Sequence, residues 1–154
     1  MNVYSQTALK VGDKAPDFSG LNQDGKSISL SSYKDKKVVL FFYPKDNTPG
    51  CTAEACNLRD NNKDLIKAGY TVIGISTDDV ASHKGFASEH SLPFPLIADT
   101  DQSINKKYGV WKEKERVGKK YFGTSRTTFV IDKGVITKII TDVSTSDHAA
   151  QILK

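Results

Sequence analysis

Cysteine is scarce in this 154-residue chain, which has two, Cys51 and Cys56. A small secreted disulfide scaffold carries four or more, so that class is excluded. A structural zinc site takes about four ligands. The three histidines, His83, His90 and His148, lie far apart and match no metal spacing. Long apolar runs are also lacking. The longest, Val38–Tyr43, falls well short of the ~20 residues a membrane helix needs. No charge of one sign dominates, since 22 basic residues face 18 acidic ones for a net +4. Most lysines sit beside acids, as in Lys112-Glu113-Lys114-Glu115-Arg116, whereas nucleic-acid binding wants basic residues gathered on one face. Neither a nucleic acid nor a membrane is an expected partner. Met1–Lys10 has no apolar core or small-residue cleavage site of a secretory signal, so a cytoplasmic location is expected. No internal repeat or low-complexity segment is present.

Enough apolar residue is spread along the chain for one core, and the length fits one domain, 1–154. Val38–Tyr43 is a short β-branched and aromatic run closed by Pro44, which reads as a buried strand. Cys51–Lys67 reads as a helix stopped before Gly69. Tyr70–Ser76 is a second buried strand. Asp78 and Asp79 can cap a helix running toward His90. Leu96–Ala98 is a short segment, Asp101–Tyr108 suits a short helix, and Gly25 turns the chain before a strand at Ser27–Leu30. Thr127–Asp132 and Val135–Ile140 flank Lys133-Gly134 as a hairpin. Ser146–Lys154 suits a terminal helix. The pattern implies an α/β fold, a central mixed β-sheet flanked by helices, with a right-handed crossover through the Cys51 helix. Active sites in such sheets lie beyond the carboxyl ends of the strands, which is where Pro44–Cys51 falls.

Pro49-Gly50 is a turn that delivers Cys51 into the first turn of its helix. Unpaired N–H groups and the partial positive charge there stabilise a thiolate. Thr48 can bring a hydroxyl to the sulfur or serve as the helix cap. Cys56 follows five residues later, which is not the Cys-x-x-Cys spacing of a thioredoxin-type oxidoreductase. On a continuous helix the two α-carbons lie about 7.5 Å apart along the axis and about 140° around it. That exceeds disulfide reach, so if the pair bonds, the first turns unwind. Cys56 can equally be an inert core thiol. Glu54 can order the site or stand exposed in the first turn. Trp111 and Phe94 read first as core and only second as pocket residues, and Phe86 less than either.

Pro44-x-x-x-Thr48-x-x-Cys51 resembles the active-site motif of the peroxiredoxins. Cys56 resembles the resolving-cysteine placement of the peroxiredoxin Q group, also called bacterioferritin comigratory protein. Gly12–Phe18, Leu40–Pro44, Leu58–Asp60, Ile73–Asp78, Phe94–Asp99 and Ser125–Asp132 resemble further segments of that group. The resemblance runs from about Leu9 to Leu153.

The resemblance implies a thioredoxin-like fold and a thiol-dependent peroxidase acting on hydrogen peroxide and organic hydroperoxides. It assigns Cys51 as the peroxidatic cysteine and Cys56 as the resolving cysteine of an intrachain disulfide. Thr48 would bind the peroxide, Arg126 would stabilise the thiolate and the leaving oxygen, and Pro44 would shield the site. It further implies no cofactor or metal, thioredoxin as the reductant, and a monomer or weak homodimer. A thiol–disulfide exchange protein and an oxidation-sensing holdase are the alternatives. Exchange needs neither Thr48 nor Arg126, whereas peroxide activation does, and a holdase would show oxidation-dependent dye binding without peroxide turnover.

Overall fold

The computed structural model describes residues 8–154. The reading of Met1–Lys10 as leaderless therefore lies mostly outside the described residues. Among these, seven strands form one mixed sheet and two more form a separate hairpin. In chain order the first elements are β1 (Ser19–Leu21), β2 (Ser27–Ser29), a short 3-10 turn (Leu30–Tyr33) and β3 (Lys37–Phe42). Then follow α1 (Pro49–Asp60), α2 (Asn62–Lys67), β4 (Tyr70–Ser76), α3 (Val80–His90), β5 (Leu96–Ala98) and α4 (Ser103–Lys107). The chain ends with β6 (Trp111–Arg116), β7 (Lys119–Thr124), β8 (Thr127–Asp132), β9 (Val135–Ile140) and α5 (His148–Leu153).

The sheet order is β2-β1-β5-β4-β3-β8-β9. The continuous apolar runs occupy its centre, because strands covered on both faces need no polar alternation. Val38 through Phe42 are all buried. β3 pairs parallel with β4, from Lys37 opposite Tyr70 to Phe42 opposite Ile75, and antiparallel with β8. Side chains alternate across β3. Val39 and Phe41 join the core layer under α1 and α3, and Val38, Leu40 and Phe42 join the opposite layer with Tyr108 and Phe129. The chain leaves β3 at its carboxyl end, crosses through α1 and α2, and returns as β4, which places Pro44–Cys51 over the end of the sheet.

The helix expected over Cys51–Lys67 is two helices. It begins earlier, with Thr48 as the N-cap and Pro49 at the first helical position, where a missing N–H costs nothing. It breaks at Asn61, whose φ of −106° and ψ of 13° leave the helical region. Gly69, at φ 93°, makes the stop as expected. Asp79 caps α3 by accepting from Ser82 N–H at 2.8 Å. Lys133 and Gly134 both take positive φ, as a two-residue turn between β8 and β9 requires. No helix of the described residues is long and apolar enough to cross a membrane.

Candidate active site

Four segments meet beyond the carboxyl end of β3: the loop from Pro44 to Thr48, the first turn of α1, the Ser125–Arg126 link into β8, and the β6–β7 hairpin. Cys51 sits in the first helical turn, 1% exposed and packed with Tyr43 and Ala55. The N–H groups of Gly50 and Cys51 have no acceptor within the helix, so the positive end of α1 faces the sulfur. Arg126 reaches the same point from β8. Its Nη2–H donates to Cys51 Sγ at 3.2 Å and its Nη1–H donates to Glu54 Oε1 at 2.5 Å. The helix terminus and the guanidinium both turn positive charge toward this sulfur. A side chain at position 50 would crowd that arginine, since a Cβ there would lie 3.3 Å from Nη2.

Glu54 is one turn after Cys51 and fully buried. Burial pushes its carboxyl up to about 7, although the Arg126 guanidinium pulls the other way. Burial alone would weaken the guanidinium's hold on its proton, but Glu54 and Cys51 outweigh it and push that proton's affinity up. Behind Glu54 lies His148, also fully buried, with Nε2 3.5 Å from Glu54 Oε2. Burial holds this imidazole below its ordinary range, and Arg126 adds to that. The inward face of α1 thus places one buried carboxyl, Glu54, between Arg126 and His148.

Thr48 is the cap residue of α1, but its hydroxyl does not bond the helix. Oγ1–H donates back to the Lys45 carbonyl at 2.8 Å. This leaves the oxygen lone pairs free to accept. Pro44 is half-buried and walls the same opening. Pro44, Thr48, Trp111, Lys114, Tyr121 and Phe122 are among the residues lining a cavity of about 310 Å³ between the loop and the β6–β7 hairpin. Trp111 is therefore a cavity residue, while Phe94 lies in the core against Phe41 and Phe86 against Tyr43. Lys114, which sequence reasoning did not single out, donates from Nζ to the Thr124 carbonyl. Burial and Arg126 push its ammonium down, and the Cys51 sulfur opposes them.

Cys56 is half-buried on the same unbroken helix, and both thiols are free. Arg126 is thus brought onto Cys51, Pro44 and Thr48 line the same cavity, and Cys56 stands more than one turn further along α1.

The loop is latched from below. Asp46 accepts from Tyr43 Oη–H at 2.7 Å and from Ser82 Oγ–H at 2.8 Å, and it meets His83 Nδ1 at 2.7 Å. Asp78 accepts from Asp46 N–H at 2.8 Å and Ser76 Oγ–H at 2.6 Å. Asp46, Asp78 and His83 offer ligand atoms within 4.8 Å of one another, a spacing a cation could use. Asp46 ties the loop to Ser82 and His83 of α3, so the cluster acts as a clamp holding the loop to that helix.

The AhpC/TSA family matches residues 11–139. Peroxiredoxin Bcp of Escherichia coli K12 is 44% identical over 146 residues, covering 94% of this chain and 94% of its own. The crystal structure of peroxidoxin BcpB from Mycobacterium tuberculosis superposes with a TM-score of 0.84 at 37% identity, covering 94% of each chain. A bacterioferritin comigratory protein of Xanthomonas campestris, solved for its alkyl peroxide reduction activity, gives a TM-score of 0.85 at 30% identity. That match covers 96% of this chain and 95% of the other.

Proposed function

This chain belongs to the AhpC/TSA family, with the thioredoxin-like fold of its peroxiredoxin Bcp and Q members, and from that premise we propose that Cys51 is its peroxidatic cysteine and Cys56 the resolving one. The protein is a thiol peroxidase that consumes peroxide at the expense of a thiol reductant. The observation that carries the residue assignment is the Arg126 Nη2 contact to Cys51 Sγ at 3.2 Å, in the first turn of α1.

The Cys51 thiolate attacks the hydrogen-bearing oxygen of R–O–O–H. The S–O bond forms as the O–O bond breaks. The electron pair leaves on the RO oxygen, which takes a proton to become water or an alcohol, and the sulfur becomes a sulfenic acid. The rigid Arg126 fork and the free N–H groups of α1 oppose the charge that builds on the leaving oxygen. Thr48 Oγ1, its own hydrogen committed to Lys45, accepts from the peroxide O–H and turns the reacting oxygen toward the sulfur. Pro44 keeps bulk water from the thiolate. The aromatic lining of Trp111, Tyr121 and Phe122 beside these residues supports organic hydroperoxides as substrates alongside hydrogen peroxide.

Cys56 then attacks the sulfenic sulfur. The S–S bond forms, and hydroxide leaves and takes a proton as water. The two residues sit about 7.5 Å apart along α1, so its first turns must unwind for this step. A dithiol reductant, thioredoxin in this reading, restores both thiols by exchange. The chain, 1–154, works as one domain with no cofactor or metal. It is cytoplasmic, a monomer or weak homodimer, with no nucleic-acid or membrane partner. The mixed-sign surface supports the absence of such partners. Intact mass after one equivalent of hydrogen peroxide tests the reading. Rapid loss of both thiols with two hydrogens is expected. Two thiols still free after minutes would overturn it.

A further inference from the structure

The Arg126–Glu54 contact continues past the active site. Gln151 fixes the orientation of His148. Its amide nitrogen donates to the Asp142 carbonyl at 2.8 Å, so its oxygen is the atom that accepts from Ser144 N–H at 2.9 Å and from His148 Nδ1 at 2.8 Å. Nδ1 therefore carries a hydrogen. Nε2 is left facing Thr128 Oγ1 at 2.7 Å and Glu54 Oε2 at 3.5 Å. That Oε2 is buried and has no hydrogen-bond partner. A carboxylate oxygen in such a place is strongly disfavoured unless something donates to it.

We propose that His148 is a positioning residue for the peroxide reaction: with Glu54 it holds one proton, between Nε2 and Oε2, that keeps Glu54 from cancelling the Arg126 charge beside the Cys51 sulfur. This rests on the peroxidatic reading of Cys51. The Thr128 hydroxyl serves both sides of the exchange, donating to a bare Nε2 and accepting from a protonated one. The groups facing Glu54 are Arg126 and His148, with Cys51 one turn earlier on α1. Those facing His148 are Glu54, Arg126, Thr128 and Gln151, and Lys114 acts on Arg126 and Cys51 from β6. Burial raises the carboxyl to about 7 and lowers the imidazole, so the shared proton resides on Glu54 rather than on His148. When it leaves, an anionic Glu54 neutralises Arg126, and the rate of peroxide attack falls on the alkaline side.

The direct test is nuclear magnetic resonance on the reduced wild-type protein between about pH 5 and 9, following the Glu54 carboxyl carbon and the His148 ring nitrogens. Both should titrate with one common midpoint. Separate midpoints, or an Oε2 ionised throughout, would overturn the proposal. This readout needs no peroxide, so it stands or fails apart from the peroxidatic reading. In the pH profile of single-turnover peroxide oxidation, Glu54→Gln should abolish the alkaline fall. His148→Asn should move its midpoint by at least about half a pH unit, a roughly three-fold change in proton affinity. A uniform slowing at every pH, with the midpoint in place, would make His148 merely structural and refute the role. If His148→Asn does not fold, the wild-type titration decides alone.

Discussion

Arg126 Nη2 lies 3.2 Å from Cys51 Sγ, although the two residues stand 75 positions apart in the chain. Glu54 holds the other arm of the same guanidinium. The arginine is therefore aimed by the buried Glu54 side chain, and a flexible cation cannot replace it. Lysine keeps the charge but loses the planar fork. Arg126→Lys should slow peroxide oxidation by about a hundred-fold, the scale seen when one transition-state donor is removed. Stopped-flow fluorescence of Trp111, the chain's one tryptophan and a cavity residue, measures this. A rate close to that of the wild type would show that Arg126 does not act on the reacting atoms.

Disulfide formation between Cys51 and Cys56 requires α1 to open. Asn57 makes that opening costly. Its side chain donates to the Ser146 carbonyl at 2.9 Å and accepts from Ala149 N–H at 2.8 Å, tying α1 to the start of α5. Oxidation should speed amide exchange across residues 51–58 and, through Asn57, at residue 149. Hydrogen exchange with mass detection on reduced and oxidised protein checks this. Equal protection in both forms would rule out unwinding.

Glu54 also sets a pH dependence of folding. Its carboxyl titrates near 4.5 when unfolded and at about 7 when folded, because burial disfavours the charged form. The folded state thus binds this proton more tightly. Its contribution to stability is fully present below the unfolded value and is lost as pH rises through the folded one. Glu54→Gln cannot lose a proton, so it should gain stability relative to the wild type as pH rises from about 5 to about 7, by about 1.4 kcal/mol for each tenfold fall in proton concentration. Urea unfolding at the two ends of that range measures the change. A difference that stays constant with pH would mean that Glu54 is ionised in the folded protein throughout.

The central strands were legible because Val38–Tyr43 and Tyr70–Ser76 are continuous β-branched and aromatic runs, a pattern that fits a sheet covered on both faces. The hairpin β8–β9 was legible from Lys133-Gly134. The break at Asn61 was missed although Asp60-Asn61-Asn62, weak helix formers that favour caps and turns, were the available signal. The β6–β7 hairpin was hidden by its charge. Lys112–Arg116 reads as a solvated run, and it is a half-exposed strand turned by Val117 and Gly118, both at positive φ. Two six-residue segments around that glycine were the available signal. At the site, the position of Cys51 followed from Pro49-Gly50 and helix-end chemistry, whereas Arg126 entered only through the family motif. Glu54 and His148 lie far apart in the chain and become neighbours only when α5 packs on α1. No local pattern encodes that.

In the proposed reaction Cys51 carries the peroxide chemistry and Cys56 only its resolution. Thioredoxin-coupled peroxide consumption by wild-type, Cys51→Ser and Cys56→Ser proteins tests this division most directly, read beside a single-turnover measurement of peroxide loss. Cys51→Ser should show neither turnover nor a single event. Cys56→Ser should consume about one equivalent and then stall in recycling. Normal turnover by Cys51→Ser would contradict the assignment.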